Sequence, residues 1–180
     1  MRYLAVLTIL AAGAAHGQEM NRGAISDMLY PNARTEVELM PQDFLPDDQA
    51  ALLKTVGVSQ PYYGAIAVSP DEGIMVEATV AAANYHTTEA ASVAALAGCN
   101  EARKGARPCE VVALIRPRGW QPHPVQLSAA ATEDFEANYR GRGPKAFAIS
   151  RTTGDWALAE TPDAALAECG ANCHVLMQQR

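Results

Sequence analysis

The feature that most constrains how this chain can fold is that it repeats itself. Ala65-Ile-Ala-Val-Ser69 lays over Ala146-Phe-Ala-Ile-Ser150: both alternate small and bulky apolar residues and end in a serine. A turn follows each, Pro70-Asp-Glu-Gly73 and Arg151-Thr-Thr-Gly154, with glycine expected to supply the positive φ of a tight turn. Further on, Ala95-Leu-Ala-Gly-Cys99 matches Ala165-Leu-Ala-Glu-Cys169 at every position but the fourth. A second cysteine then opens an apolar run in each copy, Cys109-Glu-Val-Val-Ala-Leu-Ile115 and Cys173-His-Val-Leu-Met177. The same landmarks in the same order, in an alanine-rich chain, mark an internal duplication.

Each unit reads strand, turn, strand, helix, strand. In the first, residues 62–116, strands are expected near 62–69, 74–82 and 109–116, with a helix over 88–103. Thr87 or Thr88 is its N-cap, Glu89 suits the positive end, Arg103 and Lys104 the negative end, and Gly105 the stop. In the second unit, residues 145–180, strands are expected near 145–150, 155–159 and 173–178. A short helix over 162–169 is capped by Thr161, begins with Pro162 and ends at Gly170. A lead-in, residues 18–61, should hold a short helix over Met20–Leu29, a strand over Glu36–Met40 and a helix over Asp47–Val56. A proline-rich loop and a helix from Ser128 to Tyr139 fill 117–144. The expected class is α+β, with an antiparallel or mixed sheet and helices mainly on one face, residues 62–180 forming one domain.

The repeat also orders the cysteines. Cys99, Cys109, Cys169 and Cys173 are the full set, and an even number in an exported chain reads as two disulfides. Four cysteines allow three connectivities; the duplication favours local pairs, Cys99 with Cys109 and Cys169 with Cys173. A four-cysteine zinc site, joined by His174, needs C-x2-4-C pairs, and Cys99 to Cys109 does not fit that spacing. No metal and no cofactor is therefore expected.

Export is read from residues 1–17. Met1-Arg2 is a short basic start, an apolar run follows, and Ala15-His16-Gly17 presents small residues around a cleavage point. The run is short of the roughly 20 apolar residues that span a bilayer, and no comparable run recurs, so no membrane insertion is expected after cleavage. The whole chain carries a formal net charge of −6. That argues against nucleic-acid binding, which depends on neutralising phosphates. Charge is unevenly spread: residues 18–100 hold only three basic residues (Arg22, Arg34, Lys54), whereas residues 101–151 are rich in arginine.

Tyr63-Gly-Ala-Ile-Ala-Val-Ser69, the alanine-rich helix ending Ala-Leu-x-x-Cys, and Cys-x-Val-Val together resemble a secreted bacterial domain of unknown function. The resemblance is good over 62–116 and weak over 145–178; it implies a fold and no chemistry. The chain departs from that pattern where an Arg-Pro loop replaces the cysteine-rich end that often follows the third strand. Exported chains of this look sometimes carry a 5-aminolevulinic acid synthase label. The residues do not support it: that reaction needs pyridoxal phosphate on a lysine of a large cytoplasmic fold, and Lys54, Lys104 and Lys145 lie in no phosphate-cradling context.

No G-x-S-x-G, H-E-x-x-H, Walker or dinucleotide motif occurs. His86, His123 and His174 are scattered in sequence, Ser69 and Ser150 occupy equivalent turns, and no catalytic residue is assigned. The most suggestive segment is the loop after the first unit, where Arg116, Arg118, Trp120 and His123 are interleaved with prolines. Arginine and tryptophan are enriched in binding hot spots, and prolines lower the entropy lost on ordering. These four residues are the candidate partner-binding set, with Arg140 and Arg142 as possible neighbours; the alternative is a rigid connection whose tryptophan packs on the sheet. The expected function is a non-enzymatic interaction module, periplasmic or secreted, whose partner is an unknown protein or envelope component. A cell-envelope hydrolase and a structural accessory protein are the alternatives.

Overall fold

The computed structural model describes residues 21–180; the expected signal segment, residues 1–17, lies outside them. The described chain is α+β, and each unit carries its own sheet with every pairing antiparallel. In chain order the elements are α1 (Arg22–Ser26), β1 (Thr35–Leu39), α2 (Asp47–Gly57), β2 (Gly64–Val68), β3 (Val80–Ala82) and α3 (Thr88–Ala102). They continue with β4 (Glu110–Pro117), α4 (Ala129–Asn138), β5 (Lys145–Ser150), β6 (Trp156–Ala159), α5 (Pro162–Cys169) and β7 (Cys173–Gln179). The first sheet has the order β1-β4-β2-β3 and the second β6-β5-β7, so in both the leading strand of the unit is flanked by its hairpin partner and by the strand after the helix.

The correspondence extends to a single residue of register. A β-bulge falls between Ile66 and Ala67 opposite β4, leaving Val112 unpaired, and between Phe147 and Ala148 opposite β7, leaving Leu176 unpaired. Val112 and Leu176 each stand three residues after their unit's second cysteine. A bulge bends and twists its strand, and the two units are bent at the same place.

Alternation in β2 and β5 decides which helix covers which face. Ala65 and Ala67 pack with Ala91, Ala95 and Cys99 of α3; Ala146 and Ala148 pack with Ala165 and Cys169 of α5. Small side chains on both sides let helix and sheet approach closely. The bulky partners point the other way. Ile66 and Val68 join Val37, Leu53, Val112 and Ile115 beneath α2, whereas Phe147 and Ile149 join Phe135 and Tyr139 of α4 and Ile25 of α1. Helices thus lie on both faces of each sheet: those inside the units on one, those from the lead-in and linker on the other. The lead-in is divided, α1 serving the second unit and α2 with β1 serving the first.

Caps match the sequence. Thr87 Oγ1 accepts from the Ala90 amide, Ser128 Oγ from Ala131 and Thr161 Oγ1 from Ala164. Disulfides join Cys99 to Cys109 and Cys169 to Cys173, each with Cα atoms 6.1 Å apart and each tying a helix end to the next strand.

Two expectations change. The strand over 74–82 shrinks to Val80–Ala82. Asp71 and Glu72 turn away from the sheet: Glu72 accepts from the amides of Lys104 and Gly105, and Asp71 from that of Arg107, which draws residues 71–79 over the end of α3. Met75, at the tip of this loop, is 86% exposed. The second change concerns glycine. Gly73 has φ +73°, as expected, but Gly154 lacks a positive φ and is glycine for a different reason, its contact with Asn84. The α3 helix ends at Ala102 with Arg103 as its C-cap, close to the expected bound, and the Arg103 guanidinium bonds the carbonyls of Gly105, Ala106 and Arg107. Among the described residues no helix is long and apolar enough to cross a membrane.

Candidate functional site

The loop singled out from sequence is built into the protein surface at several points. The Arg118 amide donates to the Arg34 carbonyl at 2.6 Å, the Gln121 amide to the Tyr30 hydroxyl at 2.6 Å, and Val125 and Leu127 are buried in the α4 core. Its four candidate residues divide into two groups. Arg116 pairs with Glu38 across β4 and β1 and lies 4.4 Å above the Trp120 ring, a cation–π distance. Trp120 is half-buried against the sheet end with its indole nitrogen shielded from solvent, close to Tyr63. Burial, reinforced by Tyr30 and Tyr62, pushes the Tyr63 phenol well above its ordinary value, so it stands neutral beneath this group. The tryptophan ring thus packs between Arg116 and Tyr63. His123 points elsewhere, its ring 5.9 Å from that of Tyr30.

What the sequence did not disclose is the company Arg116 and Arg118 keep. Both line a cavity of about 390 Å³ together with Arg34 and Lys54, beside Glu36, Glu38 and Val58. The chain brings them together because β1 is hydrogen-bonded to β4, with Glu36 opposite Arg116 and Thr35 opposite Pro117, and because α2 packs over β1. Two of the three basic residues in the acidic stretch 18–100 thereby meet the two loop arginines. Arg34, Lys54 and Arg118 are exposed, and among the described residues none of them forms a salt bridge. Arg140 is not part of this cluster: it bonds to Glu136 and faces a separate cleft lined by Pro31 and Tyr62. Arg142 lies in the turn between α4 and β5.

The histidines, scattered in sequence, share a second cleft. His86, His123 and His174 all line a cavity of about 320 Å³ with Ser150 and Arg151. His86 is buried and fully committed. Its Nδ1 accepts from the Ser128 amide at 2.9 Å, which requires that Nε2 carry the hydrogen it donates to the Asp155 carbonyl at 2.9 Å. Burial holds its pKa below the ordinary histidine value, against the pull of Asp155. It is the joint between the first unit, the start of α4 and the turn of the second unit. Ser150 Oγ accepts from the amides of Thr152 and Thr153 and so closes its turn. His174 is held low by burial and by the Arg151 guanidinium. Among the described residues no group of three or more histidine, cysteine or acidic side chains is arranged to hold a metal.

Comparison with known proteins finds no match: no family model fits the sequence, and no curated protein and no solved structure resembles it. The resemblance to a secreted bacterial domain therefore rests on the residues quoted above.

Proposed function

We propose that this protein is an exported, non-enzymatic binding module of the cell envelope that recognises an acidic partner through the basic cleft between β1, β4 and α2. The observation that carries this reading is the convergence of Arg34, Lys54, Arg116 and Arg118 from three separate segments of an acidic chain. Arg116 is neutralised by Glu38, which leaves Arg34, Lys54 and Arg118 to meet the partner. Val58, the C-cap of α2, lines the cleft and is 46% exposed, giving the charged site an apolar neighbour to bury. Trp120 holds Arg116 in place and does not itself contact the partner. The partner is a protein or envelope component that presents carboxylates or phosphates.

A non-enzymatic role is supported by the commitments of the polar groups. His86 has no free nitrogen to act as a base, and Ser150 is bound into its turn. Residence in the periplasm or outside the cell is supported by the basic, apolar N-terminus and by the two disulfides.

The test is a crosslinking comparison in the envelope fraction between the wild type and the Arg34→Glu/Lys54→Glu/Arg118→Glu variant. All three side chains are exposed, so the variant should fold as the wild type does. The reading expects a partner whose capture weakens with rising salt and is lost in the variant. A partner set unchanged by the triple reversal overturns it.

A further inference from the structure

The histidine cleft shares no lining residue with the basic cleft, and its chemistry is different. Its polar side is supplied by Arg151, His123 and His174, and no carboxylate lines it, although the chain carries a net charge of −6. Its other side is apolar, formed by Val125, Ile149 and Leu176. The cavity, about 320 Å³, is at the lower end of the roughly 300–1,000 Å³ typical of small-molecule sites. His174 lines the cleft from β7, with its Nδ1 shielded from solvent.

We propose that this cleft binds a small organic anion, a carboxylate or phosphate on a short apolar stem, with Arg151, His123 and His174 around the charged group and Val125, Ile149 and Leu176 around the stem. Arg151 is charged at every relevant pH and sits exposed at the mouth. The His86 ring forms a fixed neutral wall, since both its nitrogens are occupied by backbone groups. Asp155 acts on His86 from the neighbouring turn, and its Oδ2 accepts from the Thr153 hydroxyl. An anion in the cleft therefore meets the His123 and His174 rings and a guanidinium with no opposing carboxylate in the wall. Burial and Arg151 lower the His174 pKa, and an anion between the two side chains acts in the opposite sense.

The experiment is a titration of the full mature chain followed by the histidine ring-proton NMR signals, with butanoate and inorganic phosphate as probes, at about pH 6 and about pH 8. Supporting results are saturable shifts of the His123 and His174 signals with butanoate, tighter binding at the lower pH, and weaker binding of the stemless phosphate. Arg151→Gln, a change at an exposed turn position, should weaken butanoate roughly ten-fold while leaving the melting temperature unchanged. His174→Phe, which keeps the ring volume, should weaken the pH dependence of binding. Absence of saturation by either anion up to about 50 mM, or equal binding by the Arg151 variant, overturns the proposal. Equal affinity for phosphate and butanoate overturns the role of the apolar wall.

Discussion

Gly154 presses so closely on Asn84 that a Cβ added to the glycine would stand 1.7 Å from the Asn84 carbonyl oxygen. The contact is backbone against backbone, between the turn of the second unit and the segment that leads into α3. It is continued by bonds from the His86 amide to the Thr153 carbonyl and from the Ala130 amide to Asn84 Oδ1. Gly154→Ala should therefore force the two units apart and cost about 3 kcal/mol, the upper end of the usual range for overpacking. Gly73→Ala, at the equivalent turn, meets only a side-chain oxygen at 3.7 Å and carries the left-handed strain of φ +73°. It should cost about 1–2 kcal/mol. Urea unfolding of the two variants compares them; equal losses would mean that the turn conformation, and not the contact with Asn84, is what glycine serves at 154.

Stability should fall as pH drops below 6.5, before carboxylates begin to titrate. The folded His86 pKa lies below the ordinary value of 6.5 because of burial, so in this range the unfolded chain binds a proton that the folded chain refuses. His174 is shifted in the same direction by burial and Arg151. The stabilisation is complete above the unfolded pKa and is lost as pH falls toward the folded one, with a slope of up to about 1.4 kcal/mol per pH unit for each proton. Glu72 has its own window: the neighbouring Ser69 hydroxyl and hydrogen bonds from the Gly105 and Lys104 amides hold its carboxyl below 4.5, and that contribution disappears only at lower pH. Urea midpoints measured between about pH 8 and pH 5 should decline for the wild type and flatten in His86→Gln, which keeps hydrogen-bonding capacity without a titrating ring. An identical decline in the variant would remove His86 from the account.

Legibility in the sequence followed the range over which the deciding interactions act. The alternation of Ala146, Phe147, Ala148 and Ile149 specifies β5 and its two faces, and Thr87, Ser128 and Thr161 mark helix starts that their own neighbours three residues on complete. The disulfide pairs were readable because the repeat superimposes Cys99 on Cys169 and Cys109 on Cys173. The 74–79 loop was not: Asp71 and Glu72 are fixed by amides more than thirty residues away, a bond no local pattern records. The basic cleft failed to show for the same reason, since Arg34 and Lys54 reach Arg118 only once β1 has paired with β4. Trp120 and His123, neighbours in a short loop, are separated because Trp120 turns in under Arg116 while His123 turns toward Tyr30.

Arg22 should prove to be what docks the lead-in onto α4. Its Nε donates to the Tyr139 carbonyl at 2.7 Å, a terminal nitrogen reaches Glu136 at 2.7 Å, and the guanidinium lies 5.8 Å from the Phe135 ring centre. Both charged side chains are only partly exposed, at 33% and 20%, which makes this pair worth more than a surface salt bridge. Arg22→Ala should cost about 1–2 kcal/mol. Hydrogen exchange should accelerate in α1 and at the end of α4, with β2 and α3 unchanged. Uniform acceleration across both sheets would show that α1 is integral to a single cooperative unit.

The two disulfides should differ in what they contribute. In the chain-entropy account a crosslink stabilises by restricting the unfolded chain, more for a longer loop. Cys99 and Cys109 are separated by 10 positions, Cys169 and Cys173 by 4. The same expression gives about 2.7 kcal/mol for the first and about 1.9 kcal/mol for the second. Packing widens the gap: Cys99 has no exposed surface and sits among Ala65, Ala67 and Ala95, whereas Cys173 is only half-buried at the start of an edge strand. Paired substitution by alanine, which leaves no unpaired thiol within a bridge, isolates each one. Cys99→Ala/Cys109→Ala should lose more stability, in urea and on heating, than Cys169→Ala/Cys173→Ala. The reverse order would mean that the four-residue bridge holds α5 against β7 in a way that neither loop length nor burial accounts for.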